Sequence, residues 1–413
     1  MEPRLAIIGG GPAGMMAAIR AAEVLDGGTR IVLFDKNERL GRKIYLTGKG
    51  RCNLTNMRPW EEFATHIHPN QGFLRQAFRA FSNTDVVNFF ETLGVPCATL
   101  QGQRVFPASL VAGDVARALE RRVRELGVDV RCSATVECLS DLDGFAAVIV
   151  ATGGKSYPLT GSTGDGYRFA QEAGHSMTPL FPSETALLPK DYDPALPGLE
   201  MKNVGLQLLV DRQCVASEQG DFNFTDDGLE SGIAYRLSRR AVWALCNGQR
   251  VDIVLDLKPS LSEEQLAGRM KRAEQTGGFR NREHFSASGT KTRAVKHVPT
   301  VLEACSFLPK ALAGPFLRAH PGLTVEQIPA ALKTWSFRIL DYKGFDRAVV
   351  TAGGVNLKEI APKTMASRLR PGLYFCGEVL DLDGDTGGYN LQIAFSTGAL
   401  AGSAAATFLL SLP

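Results

Sequence analysis

The chain has few features that tie it together covalently or direct it to a charged partner. Its eight cysteines are scattered, with no C-x-x-C pair. That excludes a zinc ribbon and a dithiol redox pair, and it argues against a disulfide framework. A formal charge of +3 on 413 residues is small, so neither nucleic acid nor an anionic membrane surface is expected as a partner. No apolar run reads as a membrane span of about 18 residues. The first apolar run already starts at Leu5, which leaves no room for a signal peptide, and a cytoplasmic chain is expected. Tandem repeats and low-complexity tracts are also missing. What remains is an ordinary globular composition, 44% apolar, on a chain long enough for two or three domains.

The strongest pattern lies at the start. Leu5–Ala6–Ile7–Ile8 reads as a buried strand, Gly9–Gly10–Gly11–Pro12–Ala13–Gly14 follows at once, and Met15 to Ala22 is rich in helix formers. Strand, G-x-G-x-x-G and helix stand in the order a dinucleotide site needs. Gly9 permits the tight turn, Gly11 the approach of a pyrophosphate, and Gly14 close helix–strand packing. Arg30 to Phe34 predicts the second strand, and Asp35 ends it. A carboxylate about 20 residues after the glycines suits ribose hydroxyls. No second G-x-G-x-x-G follows, so one dinucleotide and no separate nicotinamide domain are expected.

Gly41 to Asn56 carries four cations and several glycines. Placed after the ribose strand, it reads as a phosphate and flavin cradle. Within it Cys52 is a candidate near the reacting atoms, because Lys49 and Arg51 would lower its pKa. Residues 58–100 predict core-facing helices, with His66 and His68 exposed in a loop. Ala146 to Val150 predicts a buried strand ending in Ala151–Thr152–Gly153, where small residues admit a dinucleotide. Residues 183–257 predict a β-rich insertion with one helix at 231–246, and 258–334 turns helical. Helices are expected at 301–308, 310–319 and 324–332. The basic run Lys291–Lys296 with His297 reads as a solvated face. Finally Gly372 to Glu378, a glycine-rich turn and the helix 393–410 form a strand–acid–turn–helix unit. Its acid can accept hydrogen bonds from a ribityl chain. Its helix N-terminus can face the pyrimidine edge of an isoalloxazine. The carboxylates around Gly384 do not have EF-hand spacing, and no metal is expected.

The stretches Gly41–Asn56, Ala151–Gly166, Thr351–Val355 and Gly377–Gly402 together resemble the bacterial BaiN/RdsA-like, or aminoacetone-oxidase-like, NAD(P)/FAD-dependent oxidoreductases. The resemblance implies a Rossmann-type α/β FAD domain of the glutathione-reductase kind, discontinuous over 1–185 and 346–413. It further implies a β-rich inserted domain over 186–257 and 335–345, and a nested helical subdomain over 258–334. It implies that Gly9, Gly11, Gly14, Asp35, Arg42, Lys43, Thr152, Gly153, Glu378, Asn390 and Leu391 line FAD. The same motifs bring Pro12, Ala13, Lys36, Gly48, Asn53, Ala151, Gly377 and Gly388 to the cofactor. One departure stands at Thr225–Gly232, where many members have a Thr-His-x-Gly-Leu-Ser-Gly-Pro run and this chain has no His or Pro.

The expected activity is FAD-dependent reduction of a C=C bond of a small or polycyclic organic substrate, with NADH or NADPH as a transient donor. Cys52, Tyr157 and Tyr389 are the candidate proton donors by type and place. An oxygen-using amine oxidase and a non-catalytic flavin module are alternatives. A tRNA-modifying flavoenzyme is another, but it calls for a basic stripe interleaved with aromatics.

Overall fold

Strand β1, Leu5–Ile8, is apolar and buried at every position, as a strand covered on both faces must be. Proline opens helix α1, Pro12–Val24, where its missing N–H is no loss. Strand β2 is Ile31–Phe34, β3 is Asp129–Arg131, β4 is Ala147–Val150 and β5 is Leu373–Phe375. They form one parallel sheet in the order β5-β4-β1-β2-β3. The computed structural model describes residues 2–275, 301 and 307–413. Two compact units divide them, Met1–Thr185 with Gly344–Pro413, and Ala186–Lys343. Residues 258–334 fall within the second unit.

The first unit is closed by helix α2, Tyr389–Ser411. It lies directly on α1. A Cβ on Gly398 would meet the Ala13 carbonyl oxygen at 2.3 Å, and one on Gly402 would meet that of Ala17 at 2.2 Å. The two backbones are therefore in contact, and only glycine fits at the crossing. Contrary to the expectation from the sequence, α2 is long and apolar enough to cross a membrane, with a mean hydropathy of 1.6 over its best window. Two-thirds of that window is buried inside the protein, as befits a core helix.

In the second unit the expected β-rich insertion is a closed six-stranded barrel. Its strand order is Leu187–Pro189, Gly228–Glu230, Gln213–Thr225, Glu200–Val210, Val251–Asp256, Trp335–Tyr342. Closure leaves no edge to pair with another chain. Alternation sets the register: Leu206 and Leu208 stand opposite Leu255 and Ile253, which in turn face Trp335 and Phe337. All six are buried. Helix Gly232–Cys246 starts where Ser231 Oγ accepts the Ala234 N–H at 3.1 Å. Helices Glu263–Gln275, Lys310–Ala319 and Ile328–Lys333 complete the described residues of this unit. The basic run 291–296, His297 and most of the expected helix 301–308 lie outside the described residues.

Candidate cofactor site

The site begins at the end of β1. Gly9 has φ +104°, and a Cβ there would meet the Ala151 carbonyl oxygen at 2.5 Å. A Cβ on Gly14 would lie 1.8 Å from the Gly9 carbonyl oxygen. Both glycines are fixed by backbone that cannot move aside. Gly11 differs: nothing lies within 4 Å of its would-be Cβ. Open space over the N-terminus of α1, next to Pro12 and buried Ala13, is the cradle an anion needs.

Much of what surrounds this cradle is already engaged. The Asp35 carboxylate accepts the Gly10 N–H at 2.7 Å, the Asn37 N–H at 2.7 Å and the Asn37 Nδ2–H at 2.8 Å. A carboxylate has about four acceptor sites, so its main task is to hold the glycine turn, and ribose contact is secondary. The Lys36 ammonium bonds Thr163 Oγ1 and Asp165 Oδ2, both at 2.5 Å. Arg42 donates to Asn37 Oδ1 at 2.8 Å.

Lys43 pairs with Glu378 at 2.8 Å and also bonds Ser156 Oγ at 2.9 Å. The other Glu378 oxygen accepts from Ser156 Oγ at 2.7 Å and from the Thr351 N–H at 2.8 Å. Burial pushes the Glu378 carboxyl up, but the Lys43 charge and these hydrogen bonds outweigh it, so it stays below the usual range. The expected ribityl acceptor is thus the centre of an internal ion pair joining four segments.

Beyond it, Ala151 is buried and Gly153 sits against Ser162 Oγ. Thr152 Oγ1 occupies the space beside Gly166. The Gly377 N–H donates to Thr397 Oγ1 at 2.9 Å. Gly48 lies in the turn before Lys49 and Cys52, two non-glycine residues with φ near +57°. Asn53 Oδ1 is buried with no hydrogen-bond partner among the described residues. Gly388, with φ +101°, lies beside it, and a Cβ there would sit 2.9 Å from that oxygen. An orphaned acceptor in this position marks a place for a donor.

The three candidate proton donors fare differently. Cys52 is fully buried, and its thiol is pushed up to about 12 by that burial despite a hydrogen bond with Thr47. The neighbouring cations do not activate it. Tyr389 is 3% exposed, wedged between Phe63 and His66 at centroid distances of 4.8 and 4.5 Å. It is packing for the start of α2. Tyr157 has φ +53°, and its N–H donates to the Phe345 carbonyl at 3.0 Å. Asn390 is spent as well. Its amide exchanges bonds with Gly384 N–H and C=O at 2.8 and 2.7 Å and donates to Glu184 at 3.1 Å. Leu391 is half-buried against the core.

Sequence reasoning missed His66, His68, Asp385 and Glu184. Asp385 receives His66 Nδ1 at 2.8 Å and His68 Nε2 at 3.2 Å, so the histidines are not simply exposed. The signal was present, a His-x-His beside a Gly-Asp, but the two stretches are 319 residues apart. Burial pushes the Asp385 carboxyl up, yet both histidines more than offset it and bring it down to about 2, from an ordinary 3.8. A depressed carboxyl gives stability that is present above its ordinary value and lost as pH falls through the lower one. Asp385→Asn is therefore expected to cost roughly 2 kcal/mol at neutral pH, with the difference closing between about pH 4 and pH 2. Urea unfolding across that range checks it. Glu184, 4% exposed, is pushed well above the usual carboxylate range by burial and by Asp385, Asp383 and Glu378.

A parallel sheet, a glycine cradle at the first helix and a single nucleotide unit define a Rossmann-type FAD-binding flavoprotein. More particularly, the chain belongs to the family described as HI0933-like protein Rossmann domain, whose model matches residues 3–404. It is 32% identical to a 3-dehydro-bile acid delta(4,6)-reductase of Clostridium scindens, over 98% of this chain and 99% of that one. It is also 26% and 27% identical to ribosomal RNA dihydrouridine synthases of Haemophilus influenzae and Escherichia coli, over 95% of each chain.

Proposed function

We propose that the protein is an FAD-dependent oxidoreductase that reduces a C=C bond conjugated to a carbonyl, in a free organic substrate. The observation that carries this is a shared bond chemistry among the relatives. A 3-keto steroid with ring double bonds at positions 4 and 6, and the uracil ring that becomes dihydrouracil, both present a C=C next to a C=O. The names differ in substrate and agree in reaction. A free molecule is favoured over RNA because the formal charge is only +3, small beside the basic surface that RNA binding calls for.

The residues present fit FAD. The space at Gly11 and the N-terminus of α1 would take the pyrophosphate. Asn53 Oδ1 supplies an acceptor that the chain itself leaves unused. Gly9, Gly14 and Gly153 let the backbone close around the cofactor, while Lys43 and Glu378 fix the segments that would border it. FAD, when bound, supplies the hydride chemistry. The chain binds and orients it and provides the charge environment. NADH or NADPH is proposed as the transient donor.

The test is anaerobic stopped-flow of the purified yellow protein. NADH or NADPH is expected to bleach the flavin band, and a conjugated enone is expected to restore it. Restoration by oxygen with a small amine as reductant would instead favour an oxidase. Reoxidation by uridine in ribosomal RNA, and not by free enones, would move the substrate to RNA.

A further inference from the structure

Hydride addition to the β-carbon of a C=C–C=O system leaves an enolate, and the enolate needs a proton at its α-carbon. Two of the three expected donors do not suit this. Cys52 is fully buried and Tyr389 is 3% exposed. Glu184, at 4%, is too enclosed to touch a substrate.

A different cluster stands at the N-terminal end of α2. The strand Ile67–His68 pairs antiparallel with Asp383–Gly384, and the Asp385 N–H donates to the His66 carbonyl at 2.9 Å. This frame brings two imidazoles onto one carboxylate, through His66 Nδ1 and His68 Nε2. The His66 ring also stacks on Tyr389, at 4.5 Å and 25°. The imidazoles are about a quarter exposed, and Asp385 is 15% exposed. One nitrogen of each ring, Nε2 of His66 and Nδ1 of His68, has no hydrogen-bond partner among the described residues.

A carboxylate bonded to one nitrogen keeps the proton there, so an imidazolium presents its second N–H at the other nitrogen. Because Asp385 stays ionised, it orients the ring without taking its proton. Resting on the reductase reading above, we propose that His66, held by Asp385, donates the proton to the substrate α-carbon. The His66 Nε2–H bond breaks, and the enolate electron pair forms the new α-C–H bond. The neutral imidazole then regains a proton from water. Both electrons of the reduction arrive as the hydride from reduced cofactor, and His66 changes only its proton count. His68 is a positioning residue that helps keep Asp385 ionised and in place.

The test separates proton delivery from hydride delivery. Holoenzyme reduced anaerobically with dithionite is mixed with either of two probes. Cyclohexenone yields an enolate that must be protonated, whereas nitrocyclohexene yields a nitronate that survives in water without a donor. His66→Gln is expected to lower the ratio of the enone rate to the nitroalkene rate by about 10²–10⁴, with FAD content and visible spectrum retained. His68→Gln should lower it less. Apart from turnover, Asp385→Asn should move the imidazole nitrogen NMR signals of both His66 and His68. An unchanged ratio in His66→Gln, a larger loss in His68→Gln, or imidazole signals untouched by Asp385→Asn each overturns the inference alone. A wild-type holoenzyme that neither probe reoxidises overturns the reductase reading, and the inference with it.

Discussion

Lys43→Met is expected to lower stability at pH 7 by roughly 2–4 kcal/mol, because it strands the Glu378 carboxylate in a largely enclosed site. Both side chains of the pair are only 22% exposed, so water cannot replace the lost ammonium. The wild-type Glu378 carboxyl lies below its ordinary 4.5. Its contribution is therefore complete above that value and fades as pH falls through it. The gap between wild type and Lys43→Met should narrow as falling pH protonates the stranded Glu378 carboxyl. Urea denaturation at several pH values reads this directly. The double variant Lys43→Met with Glu378→Leu removes both charges and should recover most of the stability. If the pair also borders FAD, the double variant stays pale while it folds. A double variant that regains both stability and colour would assign the pair to the fold alone.

Gly11→Ala and Gly14→Ala should fail in opposite ways, although they lie three positions apart on one turn. A methyl at Gly11 meets nothing within 4 Å, and the backbone there, with φ −76°, accepts any residue. The protein should fold with a melting temperature close to wild type. The methyl nevertheless fills the space proposed for the pyrophosphate. FAD affinity is expected to drop at least about 100-fold, near 3 kcal/mol. Gly14→Ala puts a methyl 1.8 Å from a backbone oxygen, so β1 and α1 must separate, at a cost of about 3 kcal/mol or more. Flavin fluorescence after heat release gives the FAD content, and calorimetry gives the stability. A Gly11→Ala protein that holds FAD as tightly as wild type would place the pyrophosphate elsewhere.

These contrasts also mark what the sequence could and could not tell. The β1–glycine–α1 unit was legible because its determinants are local: an apolar strand, a backbone turn and a proline at the first helical position. The small-residue helix at the end was legible for the same reason. Side-chain partners were not. Lys36 finds Asp165 at a separation of 129 residues, and Lys43 finds Glu378 at 335. The motifs placed both lysines beside the cofactor, and nothing near them in sequence pointed to these carboxylates. Cys52 was misread likewise: its cationic neighbours in sequence do not reach it, and burial decides its acidity. The barrel was foreseen as β-rich but not as closed, since closure depends on Leu187–Pro189 meeting Trp335–Tyr342 across the whole insertion.

The crossing of α1 and α2 through Gly398 and Gly402 bears on how the chain is made. Strand β5 and helix α2 emerge from the ribosome only after the entire barrel unit. Until then α1 can pack on β1, β2 and the helix Ala112–Glu125, but it lacks the helix that crosses it at Gly398 and Gly402. The barrel unit can close early, while the nucleotide unit must wait in a partly open form for its last helix. A nascent chain in that state is a natural client for chaperones that shield apolar surface. A ribosome-stalled chain ending before Leu373 should then be sensitive to protease in the first unit while the barrel resists.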